Sequence, residues 1–166
     1  KEGRKDGGCN MRTVVVKINN EYYETENDMK NLLQYIAAEG CNRQKEKLLK
    51  KGGRGVSSKP VKAARQMQAV QKIYGKASKR RMYHLVVSYP EDMKKKAVIL
   101  HAAEKIADML FENYQVLYGI HTSTDNWHIH FGINAVSYQT GEKWHQNKKE
   151  LTEMKKQICK LVSVEE

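Results

Sequence analysis

The chain has 166 residues, of which 40% are hydrophobic, enough for one domain with its own core. No apolar run reaches membrane-spanning length, and the polar, glycine-rich start has no signal-peptide pattern, so the composition points to a soluble cytoplasmic protein with no membrane partner. The net charge of +11 is uneven: residues 41–81 hold fourteen Lys or Arg against the single acid Glu46, and the rest of the chain is slightly acidic. A polyanion partner, nucleic acid first among them, accounts for such a block better than a merely solvated face. Cys9, Cys41 and Cys159 are odd in number, far apart and in no metal-ligand spacing, which reads as free thiols in a reducing compartment.

Residues 1–10 have no periodicity and read as a leader or linker, leaving 11–166 as a single domain. The β-branched run 11–18 predicts a strand. Thr25, with Asp28 three residues on, predicts the capped start of a helix whose buried stripe is Met29, Leu32, Leu33, Ile36 and Ala37 and whose stop is Gly40. Tyr35 falls on the flank of that stripe. Residues 41–58, basic and broken by Gly52, Gly53 and Gly55, predict a mobile loop that orders on DNA. A second helix follows Pro60, with Val61, Ala64, Met67, Val70 and Ile73 as its stripe and Lys62, Arg65 and Lys72 available to phosphates.

Residues 81–89 predict a strand that places Met82, His84, Val86 and Ser88 on one face; its spacing makes a core histidine the first reading of His84. Pro90, Glu91 and Asp92 open a third helix, with Met93, Ala97, Leu100, Ala103, Ala107, Leu110, Phe111 and Tyr114 inward and His101 on the flank. After the turn at 139–142, residues 148–162 predict a last helix with Leu151, Met154, Ile158 and Leu161 buried. The order of elements implies an α+β sandwich, an antiparallel sheet covered by helices.

Between the last two helices, residues 114–138 carry three of the six histidines. Alternation puts Val116, Tyr118, Ile120, Ile129, Phe131 and Ile133 on a core face. Gln115, Leu117, Gly119, His121, His128, His130, Gly132 and Asn134 share the other. A turn at Thr124-Asp125 sets His121 across from His128, with His130 one pleat away. Three imidazoles on one rigid patch suit a divalent metal, and the glycines on that face leave room for a bulky ligand. A metal beside a basic groove points to phosphodiester chemistry, in which the nucleophile is water or a tyrosine. Of nine tyrosines, Tyr22, Tyr23 and Tyr35 are the ones whose hydroxyls the pattern leaves accessible.

The run YHLVVSY at 83–89, a long helix, and then YGIHTSTDNWHIHFGINAVSYQTGEKWH at 118–145 together resemble the relaxase/mobilization nuclease family, the Mob-type DNA-nicking enzymes of conjugative plasmids and integrative elements. The most specific part is H-x6-H-x-H-x3-N at His121, His128, His130 and Asn134; weaker likeness runs over about 11–150 and includes a Leu-x-x-Tyr-Ile setting around Tyr35. The resemblance implies an HUH-type fold, with a central antiparallel sheet flanked by helices. It implies a divalent cation, Mg2+ or Mn2+, held by His121, His128 and His130. By the same likeness Tyr35 attacks a phosphodiester in single-stranded DNA at the transfer origin, giving a 5′-phosphotyrosine, with Tyr22 or Tyr23 as the alternative nucleophile. His84, Ser88, Asn134, Arg54, Lys62 and Arg65 then support the site or bind DNA, and accessory relaxosome proteins are possible partners. Ser123 stands where relatives often carry an acid, which leaves the base or histidine-orienting carboxylate without a residue unless Asp125 serves. Relatives usually continue past this chain's last helix, which opens the reading of a nuclease domain excised from a longer protein. A rolling-circle initiator is disfavoured, because Tyr138 is the only tyrosine after the histidines and no Tyr-x-x-Lys follows. The readings that stay open are a non-covalent metal-dependent phosphodiesterase and a non-catalytic DNA-binding module with a structural metal.

Overall fold

In the computed structural model, which describes residues 14–40, 47–145 and 147–163, five strands form one sheet: β1 (Val15–Ile18), β2 (Leu48–Arg54), β3 (Met82–Ser88), β4 (Val116–His121) and β5 (His128–Asn134). Four helices flank it: α1 (Glu26–Ile36), α2 (Pro60–Ile73), α3 (Lys96–Phe111) and α4 (Lys148–Ser163). The strand order is β1-β3-β5-β4-β2, and every neighbouring pair is antiparallel. This is the α+β architecture that the order of elements predicts. The expectations for residues 1–10, Cys9 and Cys41 lie outside the described residues; Cys159 is buried. Among the described residues no helix is long and apolar enough to cross a membrane.

Period-two alternation in β4 and β5 builds a separate core on each face of the sheet. Val116, Tyr118, Ile120, Ile129, Phe131 and Ile133 pack under α3 and α4 with Ile99, Ile106 and Ile158. On the opposite face Leu117 and Met82 join Met29, Leu32, Leu33 and Ile36 of α1 and Ala63, Ala64 and Met67 of α2. The histidine-bearing face is therefore half core, and its glycines serve a helix rather than a ligand. A Cβ on Gly119 would drive into the backbone carbonyl of Ile36, and one on Gly132 would sit 2.8 Å from Leu33 Cδ2. Helix α1 is thus seated directly on the middle of the sheet.

Four local expectations change. Residues 48–54 form β2 instead of a loop, because they pair along β4 and their glycines fit the crowding there: a Cβ on Gly52 would lie 2.6 Å from the Tyr118 hydroxyl. Basic residues at a sheet edge are a common device against edge-to-edge association. Helix α2 is rotated from the expected stripe, with Val61 and Ile73 exposed. Its inward place goes to Gln71, which donates to Arg81 O and Asn134 Oδ1 and accepts from Arg81 Nε. Hydropathy periodicity cannot see a buried polar anchor of this kind. The third helix begins at Lys96, after an isolated helical turn Glu91–Met93, and buries Ile99, Ala102, Ala103, Ile106, Ala107 and Leu110, leaving Ala97 outside. The last helix buries Met154, Ile158, Cys159 and Val162.

Helix α1 has the start its sequence predicts: Asp28 N–H donates to Thr25 Oγ1 at 3.0 Å, and Thr25 N–H donates to Asp28 Oδ2 at 3.2 Å. The cap fixes one end of the helix and the glycine-floored contact fixes the other. Gly119→Ala is expected to lift α1 from the sheet and destabilise the chain by about 2 kcal/mol or more, as overpacking does. Scanning calorimetry checks this, and an unchanged melting midpoint contradicts the packing described.

Candidate active site

Each histidine of the hairpin is placed by register. His121 pairs with His128 and His130 pairs with Gly119 across β4 and β5, as hairpin alternation predicts. On the other flank of β5, Val86 pairs with His130 and Ser88 with His128, which brings β3 into the same patch. His121 and His130 are 3% and 6% exposed, and their ring centroids lie 4.4 Å apart. His128 is half-buried, with its ring 6.0 Å from that of His130. His84, which pattern alone reads first as core, belongs to this cluster: its Nε2 is 2.8 Å from His130 Nδ1.

Tyr35 comes from the last turn of α1. Its ring stands edge-on to His121 and to His130, with both centroid distances 5.2 Å, and 6.2 Å from His84. The helix places it there through its end. Ile36, the next residue, presents a carbonyl of the final turn, a group without an intrahelical partner. His121 Nε2 lies 2.9 Å from that oxygen. Since a carbonyl only accepts, Nε2 carries the proton and Nδ1 holds the lone pair.

Among the described residues, no three His, Cys, Asp or Glu side chains have their donor atoms gathered for a metal ion. The chemistry of the donors suits one nonetheless. An imidazole that binds a cation through one nitrogen commonly donates from the other to a backbone carbonyl or a polar partner, and His121 makes such a bond to Ile36. Burial, with a smaller repulsion from His121, pulls His84 down to about 4. Burial, with the neighbouring imidazoles added, pulls His130 to about 2. Both rings are neutral at pH 7, the form a cation needs.

The other candidate residues are spread more widely. Asn134 sits at the far end of β5, fully buried, receiving a bond from Gln71 and donating to Met67 O and Gln115 Oε1. It ties α2 to the sheet instead of touching the histidines. Arg54 points to the α3 side, paired with Asp108 at 2.8 Å. Lys62 and Arg65 are exposed on α2, the helix packed beside α1. Tyr22 is exposed under the Arg80 guanidinium. Tyr23 is buried, its hydroxyl 3.4 Å from His84 Nδ1, and desolvation, with Glu21 adding, pushes its phenol up to about 12. Asp125 pairs with Lys94 at the exposed hairpin tip. Tyr138 donates to Phe111 O and stacks on the Phe111 ring, within the scaffold. An open cavity of about 470 Å³ beside the cluster is bordered by Tyr35, His84, Tyr23, Asn19, Asp28 and Asn31.

Comparisons with known proteins give the chain's family. Two proteins of Staphylococcus aureus, each named Protein rlx, are similar to the chain: one is 42% identical over 64 residues, covering 37% of this chain and 19% of that protein. The other is 32% identical over 101 residues, covering 55% of this chain and 29% of that protein. The aligned stretches therefore span less than a third of either relative. Residues 35–163 match the family described as relaxase, MobA/VirD2-like, nuclease domain, a match that begins at Tyr35 and takes in every histidine of the cluster. On that match the chain belongs to the MobA/VirD2-like relaxase nuclease domains, a family of DNA-nicking enzymes.

Proposed function

We propose that this domain nicks one strand of DNA at the transfer origin of a mobilizable element, with Tyr35 as nucleophile and a covalent 5′-phosphotyrosine as product. The observation that carries the reading is the Tyr35 ring held against both His121 and His130 at 5.2 Å. His121, His128 and His130 are the residues to hold a divalent cation, Mg2+ or Mn2+. When bound, the cation supplies positive charge to the phosphate oxygens as charge develops on them. Tyr35 Oη forms a bond to phosphorus while the bond from phosphorus to the 3′ oxygen breaks. The proton lost by the phenol balances the one gained by the leaving hydroxyl, so bond type is conserved and reversal rejoins the strand. The substrate is single-stranded, because a phosphodiester must come within bonding distance of a half-buried ring.

Tyr23 supports the reading by contrast. Its phenol is buried, held protonated and turned to His84, which disfavours it as nucleophile. The exposed Lys62 and Arg65 are the phosphate contacts this reading uses.

A covalent-adduct assay tests the proposal. Single-stranded DNA carrying the cognate origin and manganese are expected to give a DNA-linked band on a denaturing gel. Tyr35→Phe abolishes the band, and His130→Ala lowers its rate by roughly a hundredfold or more. Cleavage without an adduct makes the domain a hydrolytic phosphodiesterase, and a band surviving Tyr35→Phe overturns the nucleophile. In binding titrations, affinity for DNA falls steeply with salt, and Lys62→Ala and Arg65→Ala each reduce the slope by about one. A slope untouched by both substitutions removes α2 from the DNA surface.

The neutral histidines also fix a pH dependence of stability without metal. Unfolded histidines take up protons below about 6.5, whereas the folded His84 and His130 refuse them until lower pH. Stability is full above that value and declines as pH falls toward 4. Melting curves of the metal-free protein show this decline, and His84→Gln makes it shallower; parallel curves for the two proteins contradict the burial argument.

A further inference from the structure

His130 Nδ1 lies 2.8 Å from His84 Nε2, and His84 Nδ1 lies 3.4 Å from the Tyr23 hydroxyl. Two neutral imidazoles joined nitrogen to nitrogen share one proton, so one ring donates and the other accepts. The direction decides what His130 offers on its other side. If His84 donates, the single proton of His130 sits on Nε2 and its lone pair faces inward. If His130 donates, its Nε2 lone pair faces away from His84. In the second arrangement His84 accepts at Nε2 and carries its own proton on Nδ1, which then needs an acceptor. The atom beside it is Tyr23 Oη.

We infer that Tyr23 is a positioning residue for the cation site: its hydroxyl accepts the His84 Nδ1 proton, and through His84 this holds His130 with Nε2 as the lone-pair nitrogen. The inference rests on the reading that His130 binds a cation. Two further observations support it. Tyr23 has φ of 53°, a left-handed conformation that a bulky residue adopts only when its surroundings hold it there, and such positions gather at functional sites. Its ring is nevertheless buried, and Arg81 N–H donates to the adjacent Tyr22 carbonyl, which anchors the kinked backbone to the start of β3. The chain turns sharply here in a way that delivers one phenol oxygen to one imidazole. The hydrogen bonds of His84 run to Tyr23 and His130, so this pair takes the place that a carboxylate often fills behind a metal-binding histidine.

The test is manganese binding by titration calorimetry on the whole chain without DNA, beside metal-free melting curves. Tyr23→Phe removes one oxygen and keeps the buried ring; affinity is expected to weaken about tenfold, the low end for groups behind a ligand, with the melting curve in place. Raising manganese then restores adduct formation on Tyr35. His84→Gln puts an amide oxygen close to where Nε2 lies, so it accepts from His130 directly and retains affinity, whereas His84→Leu loses it. In the His84→Gln background, Tyr23→Phe changes nothing further. Manganese affinity unaffected by Tyr23→Phe in the native background overturns the relay alone. A glutamine variant as weak as the leucine variant, or an equal loss from Tyr23→Phe in the glutamine background, does the same. A native chain that binds no manganese overturns the cation reading and the relay with it.

Discussion

The close seating of α1 on the sheet is the constraint from which the site follows. Gly119 and Gly132 have no side chains to hold the helix away, so the Ile36 carbonyl comes down onto β4. That carbonyl meets His121 Nε2, and the bond performs two tasks at once. It satisfies an orphan acceptor at the helix end and it fixes which nitrogen of His121 carries the proton. Tyr35 precedes Ile36, so the same contact sets the phenol against the imidazoles. The position of the Tyr35 phenol and the tautomer of His121 are both consequences of the height of α1 above the sheet.

The remaining elements hold that height constant. The capping box at Thr25 and Asp28 secures the start of α1, and the buried Gln71–Asn134–Gln115 network ties α2, its neighbour, to β4 and β5. On the other face α3 and α4 cover an apolar core, giving the strands a stiff backing. Asn134 is thus a support of the scaffold, at the opposite end of β5 from His128. The ion pairs Lys50–Glu104 and Arg54–Asp108 fasten edge strand β2 to α3, which draws two of the basic segment's charges away from solvent phosphates.

Much of this was legible in the sequence, and the failures have physical causes. Strict alternation around His121, His128 and His130 carried both the core face and the histidine register, because strands have one side-chain period and a one-residue slip would have buried the wrong set. The start of α1 was readable from Thr25 and Asp28. Residues 48–54 misled because glycine and lysine are poor strand formers; only the partner strand, with Tyr118 opposite Gly52, explains them. Gln71 was invisible for the opposite reason, since a polar residue earns no place in an apolar stripe until its partners are known. His84 joins the cluster through β3 pairing with β5, a tertiary fact that no local pattern carries. The left-handed turn at Tyr23 likewise has no signature in its neighbours.

The bond between His121 and Ile36 joins residues 85 positions apart. Between them in the chain lie β2, α2, β3 and α3, so the cluster of Tyr35 and the histidines is among the most non-local features of the fold. Loop-closure entropy makes such contacts late to form during folding and early to break when a layer opens. A chain still being synthesised holds the phenol before the histidines exist, and one in which α1 has frayed from the sheet carries the histidines without the phenol beside them. The meeting of phenol and imidazoles is therefore a property of the finished fold, absent from any shorter or partly opened stretch of the chain.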